Sequence, residues 1–186
     1  MPLPRFDRLP VDARAAILAV ARAHFARDGK DGASFNQIIA DAGISKSSAY
    51  HYFDGKDDLF GAVVADTADR VVAVLGLWTD VEAEDDLWQQ VKAGATRLVA
   101  YLREHPDDHA VLSAQPPTHQ DGQSWIHSLI ANGRRIGLIN PYPSIELVTV
   151  ATMSIFQGLD AWALEQRDEL DQFADVLVLF LSRLWK

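Results

Sequence analysis

An all-α fold follows from three observations on this 186-residue sequence. The 3.6-residue apolar period returns many times along the chain. No stretch keeps a period-2 alternation of β-branched residues between hairpin turns. Glycine, proline or a capping serine stands where the period lapses. About nine helices are expected.

The first runs from about Val11 to Asp28, with Ile17, Val20, Ala21 and Phe25 as its apolar stripe. Arg14 and Arg22 fall on its wet side, and Gly29 is positioned to stop it. Ser34 opens a short second helix that ends near Ala42-Gly43; Ser34 and Gln37 have capping-box spacing. A third starts at the capping residue Ser45 and stops around Phe53-Asp54-Gly55. The fourth, Lys56 to about Trp78, puts Leu59, Phe60, Val63, Val64, Val71, Leu75 and Trp78 on one broad face. The period resumes with Leu87, Val91, Leu98 and Leu102 until His105-Pro106, because proline disfavours helical geometry in the residue before it. Shorter helices are expected over about 107–115 and 122–136. After the Pro141-Tyr142-Pro143 loop, Ile145, Val148, Thr152, Ile155, Leu159 and Trp162 keep register. In the last helix six successive apolar residues, Val176 to Leu181, cover almost its whole circumference, so it is expected to be buried by its own core and by a partner chain. Residues 1–10, 115–122 and 139–144 read as linkers, with Arg5 and Arg8 in a tail rather than in a minor-groove arm.

Composition narrows the function. The absence of cysteine excludes disulfides, thiolate zinc sites and a cysteine nucleophile. No unbroken apolar run approaches the roughly 18 residues of a membrane span, and the start, MPLPRFDRLP, lacks the apolar centre of a signal peptide. A cytoplasmic protein without a membrane partner is expected. The net charge of −9 argues at first against nucleic acid. By region it does not: residues 1–60 hold eight basic and eight acidic side chains, and residues 61–186 hold nine and eighteen. The acidic excess lies wholly outside the amino-terminal third.

That third contains two short helices joined at Gly43-Ile44 and preceded by a longer one, a helix-turn-helix pattern. Ile38, Ala42, Ile44, Ala49 and Tyr52 point inward. Lys46, Ser47, Ser48, Tyr50 and His51 point out, and all can donate hydrogen bonds to phosphates or base edges. No acid occurs between Ser45 and Phe53. A groove-inserting helix requires this, since carboxylates would face phosphates.

The run Gly43-Ile44-Ser45-Lys46-Ser47-Ser48-Ala49-Tyr50-His51-Tyr52-Phe53-Asp54-Gly55-Lys56-Asp57-Asp58-Leu59-Phe60 resembles the DNA-binding signature of TetR-family transcriptional repressors. The resemblance covers about the first 60 residues. It implies an all-helical homodimer with a helix-turn-helix head (1–60) and a helical ligand-binding and dimerisation domain (61–186). Partners would be double-stranded DNA and a small-molecule effector that releases the protein from a palindromic operator; no cofactor and no enzyme activity are implied. By position, Ser34 would hold a phosphate, with Asn36 as a further candidate. Lys46, Ser47 and Ser48 would address base edges and nearby phosphates. Tyr50 and Tyr52 would grip the backbone, His51 would lie over the groove wall, and Lys56 would clamp one more phosphate. Two positions depart from the pattern: Ile39 stands where a small residue is usual and Ala49 where a large one is. A volume-conserving exchange between facing positions accounts for both. A glycine common at the Ser47 position is also missing.

In the second half, Trp88, Tyr101, Trp125, Met153, Phe156, Gln157 and Trp162 supply aromatic walls with a few polar tips, the composition of a ligand cavity between helices. His105, His109, His119 and His127 carry no metal or catalytic motif; Pro106 separates the first two from a shared helical face. The alternative function is a helical enzyme or scaffold whose helix-turn-helix no longer binds DNA.

Overall fold

The computed structural model describes residues 2–114, 123–165 and 170–186. Ten helices and no strand occur among them: α1 (Pro4–Asp7), α2 (Val11–Gly32), α3 (Phe35–Asp41), α4 (Lys46–Tyr52), α5 (Lys56–Leu75), α6 (Glu84–Glu104), α7 (Pro106–Ser113), α8 (Gln123–Arg135), α9 (Ile145–Glu165) and α10 (Leu170–Trp185). The expected linkers at 115–122, with His119, lie outside the described residues.

The chain divides into two compact units. The first holds α1 to α4, α5 as far as Ala68, and α7; the second holds the remainder of the described chain. This first unit extends beyond the boundary expected near residue 60. The reason lies in Arg22, expected on the wet side of its helix but buried. Its guanidinium pairs with Asp66 of α5 and, at 3.0 Å, with Asp108 of α7, and it lies 3.3 Å from the Thr67 hydroxyl. Three segments far apart in sequence thereby share one buried charge cluster. Around it pack Phe25, Phe60, Leu59, Val63 and Val111.

Most helix ends fall where the local chemistry puts them. Gly29 takes φ +71°, so α2 breaks there before one last turn, and Gly43 takes φ +68° in the turn between α3 and α4. Ser34 and Ser45 accept backbone N–H bonds from Gln37 and Ser48. The reciprocal half of the capping box does not form, because Gln37 donates forward to Asp41 at 2.9 Å. Helix α5 ends at Leu75 rather than Trp78, stopped by Gly76 at φ +77°. Trp78 leaves the helix and donates its indole N–H to Asn132. Buried Asn132 also exchanges both backbone bonds of Val81, stitching the 76–83 loop to α8.

In the second unit α6, α8, α9 and α10 surround one apolar core. Helix α9 buries Val148, Thr149, Thr152, Phe156, Asp160 and Ala163, a stripe at three- and four-residue spacing. By length and hydropathy this helix could cross a membrane. Counting unbroken apolar runs misses it, since Glu146, Asp160 and Glu165 interrupt the run. The carboxy terminus is tied in at both ends of Trp185, whose indole donates to Thr152 and whose carbonyl accepts from Asn140.

Candidate nucleic-acid interface

Helix α4 is held by its inner side. Ala49 and Phe53 are fully buried, and Ile39 of the neighbouring α3 is buried too. What remains outside is a face of donors: Lys46, Ser47, Tyr50 and His51 are exposed, and Ser48 is half-buried. The Ser45 hydroxyl lies 3.0 Å from that of Ser47 and 2.9 Å from that of Ser48, so the first turn presents a tight serine cluster. Tyr50 keeps half its surface exposed while its ring rests 5.6 Å from Phe35. That support fixes the direction of the phenol at little further entropic cost.

Ser34 and Asn36, at the start of α3, are exposed. Tyr52 is half-buried, its ring 6.2 Å from Phe6 and 6.4 Å from Phe53. Lys56 is used differently from expectation. Its ammonium donates to the carbonyls of Asp31 (2.8 Å) and Ala33 (3.1 Å), the unsatisfied end of α2. A cation at the amino end of its own helix is poorly placed, whereas the carboxy end of another attracts it. Two of its three protons are thus committed, and the first consequence of Lys56 is to lock α5 against α2.

Carboxylates near the interface are held by neighbours. Asp41 bonds His24 at 2.8 Å and receives Gln37, and Asp58 accepts the Asp54 N–H at the start of α5.

Residues 1–10 depart most from the sequence reading. Within them Pro4–Asp7 form the short helix α1, with Phe6 only 4% exposed against Phe53 (ring centroids 4.7 Å apart) and the Leu3 N–H bonded to the Tyr52 carbonyl at 2.8 Å. Burial of a phenylalanine, worth about 2–3 kcal/mol, offsets part of the cost of ordering this short segment. The alternation of Pro4, Phe6 and Leu9 with arginines is the only signal in the sequence.

The second unit places the seven residues of the expected cavity unequally. Trp88 stacks on Trp185 (5.1 Å, 12° between planes) and donates to Glu84. Trp125 sits edge-on to both Trp78 (5.0 Å) and Phe156 (6.3 Å). These three, Trp88, Trp125 and Phe156, are buried core. Tyr101, Met153 and Trp162 are half-buried, and Gln157 is exposed. Sequence reasoning missed Asp160, which follows Phe156 by one helical turn on the buried stripe of α9. Its Oδ1 has no hydrogen-bond partner, and burial pushes its carboxyl up to about 7. His109, half-buried beside Ser113 (3.1 Å), is shifted down by burial. Among the described residues no group of three or more His, Asp or Glu side chains could hold a metal ion.

Comparison with known proteins agrees with this geometry. The family described as bacterial regulatory proteins, tetR family, matches residues 17–63. The HTH-type transcriptional repressor SCO4008 of Streptomyces coelicolor is 30% identical over 100 residues, covering 54% of this chain and 47% of its own. The HTH-type transcriptional repressor Rv1474c of Mycobacterium tuberculosis is 33% identical over 102 residues, covering 50% and 53%. The chain thus matches about half the length of these curated relatives. Solved structures share the fold over nearly all of it. A protein of Shewanella sp. PV-4 assigned to the tetR family of transcription regulators gives a TM-score of 0.74 at 19% identity, covering 93% of this chain and 96% of that one. A TetR-like transcriptional regulator of Rhodococcus sp. RHA1 gives 0.61 at 23%, covering 95% and 96%.

Proposed function

We propose that this chain, whose residues 17–63 match the tetR family of bacterial regulatory proteins, is a DNA-binding transcriptional repressor acting as a homodimer. The observation that carries the proposal is the acid-free donor face of α4, with Lys46, Ser47, Tyr50 and His51 exposed on a helix whose other side is fully packed. Lys46, Ser47 and Ser48 read base edges and adjacent phosphates; Tyr50 and the half-buried Tyr52 grip the backbone; Ser34 and Asn36 meet the flanking strand. Lys56 contributes its remaining proton to a phosphate while holding α5 to α2.

Dimerisation is proposed through α9 and α10. Leu147 (62% exposed) and Val150 on α9, and Leu179, Phe180 and Leu184 on α10, leave apolar side chains in solvent on two helices packed against each other. Ser154 and Gly158 continue the exposed line of α9 with small residues, and a Cβ on Gly158 would meet nothing within 4 Å. A second copy of the chain fits such a face. Two heads would then read half-sites about 34 Å apart on a palindromic operator.

A small-molecule effector is the proposed release signal, bound in the second unit among the half-buried Tyr101, Met153 and Trp162 next to the Trp88, Trp125 and Phe156 core. Gln157, being exposed, belongs to the rim or the dimer face. Effector binding lowers operator affinity to the extent that it favours the conformation with the poorer fit to DNA. The protein is expected in the cytoplasm, where DNA and effector meet.

Electrophoretic shift on DNA flanking its own gene tests the reading. Wild type is expected to shift the fragment, and Lys46→Ala and Tyr50→Ala to lose the shift while remaining dimeric by light scattering. Equal binding by both variants would overturn these assignments. A Phe180→Glu variant is expected to be monomeric; an intact dimer would move the interface elsewhere.

A further inference from the structure

We propose that α1 is a second DNA-contact element, in which Arg5 and Arg8, together with Ser48 and His51 of α4, seat one backbone phosphate of the duplex beside the recognition helix. This rests on the DNA-binding reading above and extends it to residues outside the matched family region, which begins at residue 17.

The observation is a cavity of about 330 Å³ lined by Arg5, Arg8, Leu9, Ser48, His51 and Tyr52. No acid lines it. Two arginines, a histidine, a serine and a tyrosine line it beside Leu9, so its residues carry several donors and a formal positive charge. Arg5, Arg8 and His51 are exposed, so the space opens to solvent. Among the described residues neither Arg5 nor Arg8 takes part in an ion pair, whereas Arg22, Arg27 and Arg135 each do.

The seat is also built rigidly. Arg8 caps α1 with helical dihedrals (φ −84°, ψ −9°), so Arg5 and Arg8, three residues apart, share a face. Helix α1 is anchored by buried Phe6 and by the Leu3 to Tyr52 backbone bond, so the arginines leave from an ordered base. A tail that ordered only on DNA would lose affinity to that ordering; this one is already placed.

Geometry selects the occupant. Three of the six lining residues belong to α4, whose exposed face is the proposed groove-reading surface. A duplex seated on α4 brings its sugar-phosphate backbone alongside. The two arginines of the lining match a phosphodiester. A phosphate contact carries no sequence information, so α1 adds affinity and orientation rather than specificity.

The test is fluorescence anisotropy with two labelled duplexes of equal length, one from the promoter upstream of its own gene and one unrelated, titrated across a range of salt concentrations. The variants are Arg5→Ala/Arg8→Ala and the charge-conserving Arg5→Lys/Arg8→Lys; circular dichroism checks that each remains folded. One phosphate per protomer means two per dimer. The Ala pair should therefore flatten the slope of log K against log salt by about two, with a loss of at least about tenfold near 0.15 M salt on both duplexes. The Lys pair should keep most of the slope. An unchanged slope in the Ala pair, or a loss confined to the promoter duplex, overturns the phosphate seat while leaving the DNA-binding reading intact. Failure of wild type to bind either duplex at any salt concentration overturns both.

Discussion

The Asp160→Asn substitution should make the protein more stable at pH 8 and remove a pH dependence that wild type shows. Asp160 is buried on the inner stripe of α9, with one carboxyl oxygen unbonded, and burial raises it from 3.8 to about 7. In the unfolded chain the same group ionises near its ordinary value. Between those two pH values the native state binds a proton that the unfolded state lacks. Stability contributed by this residue is therefore complete below about pH 4, falls as pH rises, and levels off above about 7. A shift of roughly three pH units at 1.36 kcal/mol each sets a ceiling of about 4 kcal/mol on the loss. The 8% of Asp160 still open to solvent reduces it further. Asparagine cannot ionise, and any cost of its unbonded amide is independent of pH. The diagnostic is thus the difference between the two proteins as a function of pH, in which the histidines and the acidic surface cancel. Urea unfolding followed by fluorescence of the five tryptophans, at fixed protomer concentration from pH 4.5 to 8.5, measures it. The stability of Asp160→Asn minus that of wild type should grow by a few kcal/mol across this range and then flatten. Parallel curves would refute the reasoning and mean that Asp160 is ionised in the folded state at no cost.

Other substitutions test the remaining links. Arg22→Leu removes the guanidinium that pairs with buried Asp108 and should destabilise the protein by up to about 3–5 kcal/mol in urea unfolding; a loss under about 1 kcal/mol would mean that the pair contributes little to the fold. Ala49→Leu should overpack the fully buried side of α4 by about 1–3 kcal/mol, and pairing it with Ile39→Ala should recover part of that; an additive double variant would sink the exchange idea. Ser34→Ala and Ser45→Ala should each cost about 1 kcal/mol through lost caps, whether or not DNA is present. Lys56→Met should lower the melting temperature even without DNA, because the α2 carbonyls lose their donor; an unchanged melting temperature would leave Lys56 a phosphate contact alone.

Much of the fold was legible because helix signals are local. The caps at Ser34 and Ser45, the glycine at position 43 with φ +68° and the stripe of α9 depend on neighbours within a few residues. So did the donor face of α4, since inward and outward positions on a short helix follow from its period alone. The fate of Trp78 shows the limit. Its spacing suits the α5 stripe, but Gly76 ends the helix and Asn132, 54 residues on, captures the indole.

Where charged and aromatic side chains end up was decided only in three dimensions. Arg22 read as solvated because it falls off the apolar stripe of its helix; the partners arrive from α5 and α7, more than forty residues away. Trp88 read as a cavity wall, and Trp185, from the far end of the chain, turned it into a stacked core pair. Arg5 and Arg8 read as a loose tail because a ten-residue segment cannot hold itself; Phe6 found Phe53 and fixed them beside α4. By itself the sequence determined the helices, their caps and the acid-free recognition face, since these rest on local geometry and residue chemistry. Tertiary structure decided which charges are buried, which are paired and which stay available for a ligand, because that depends on what distant segments bring within a few ångströms.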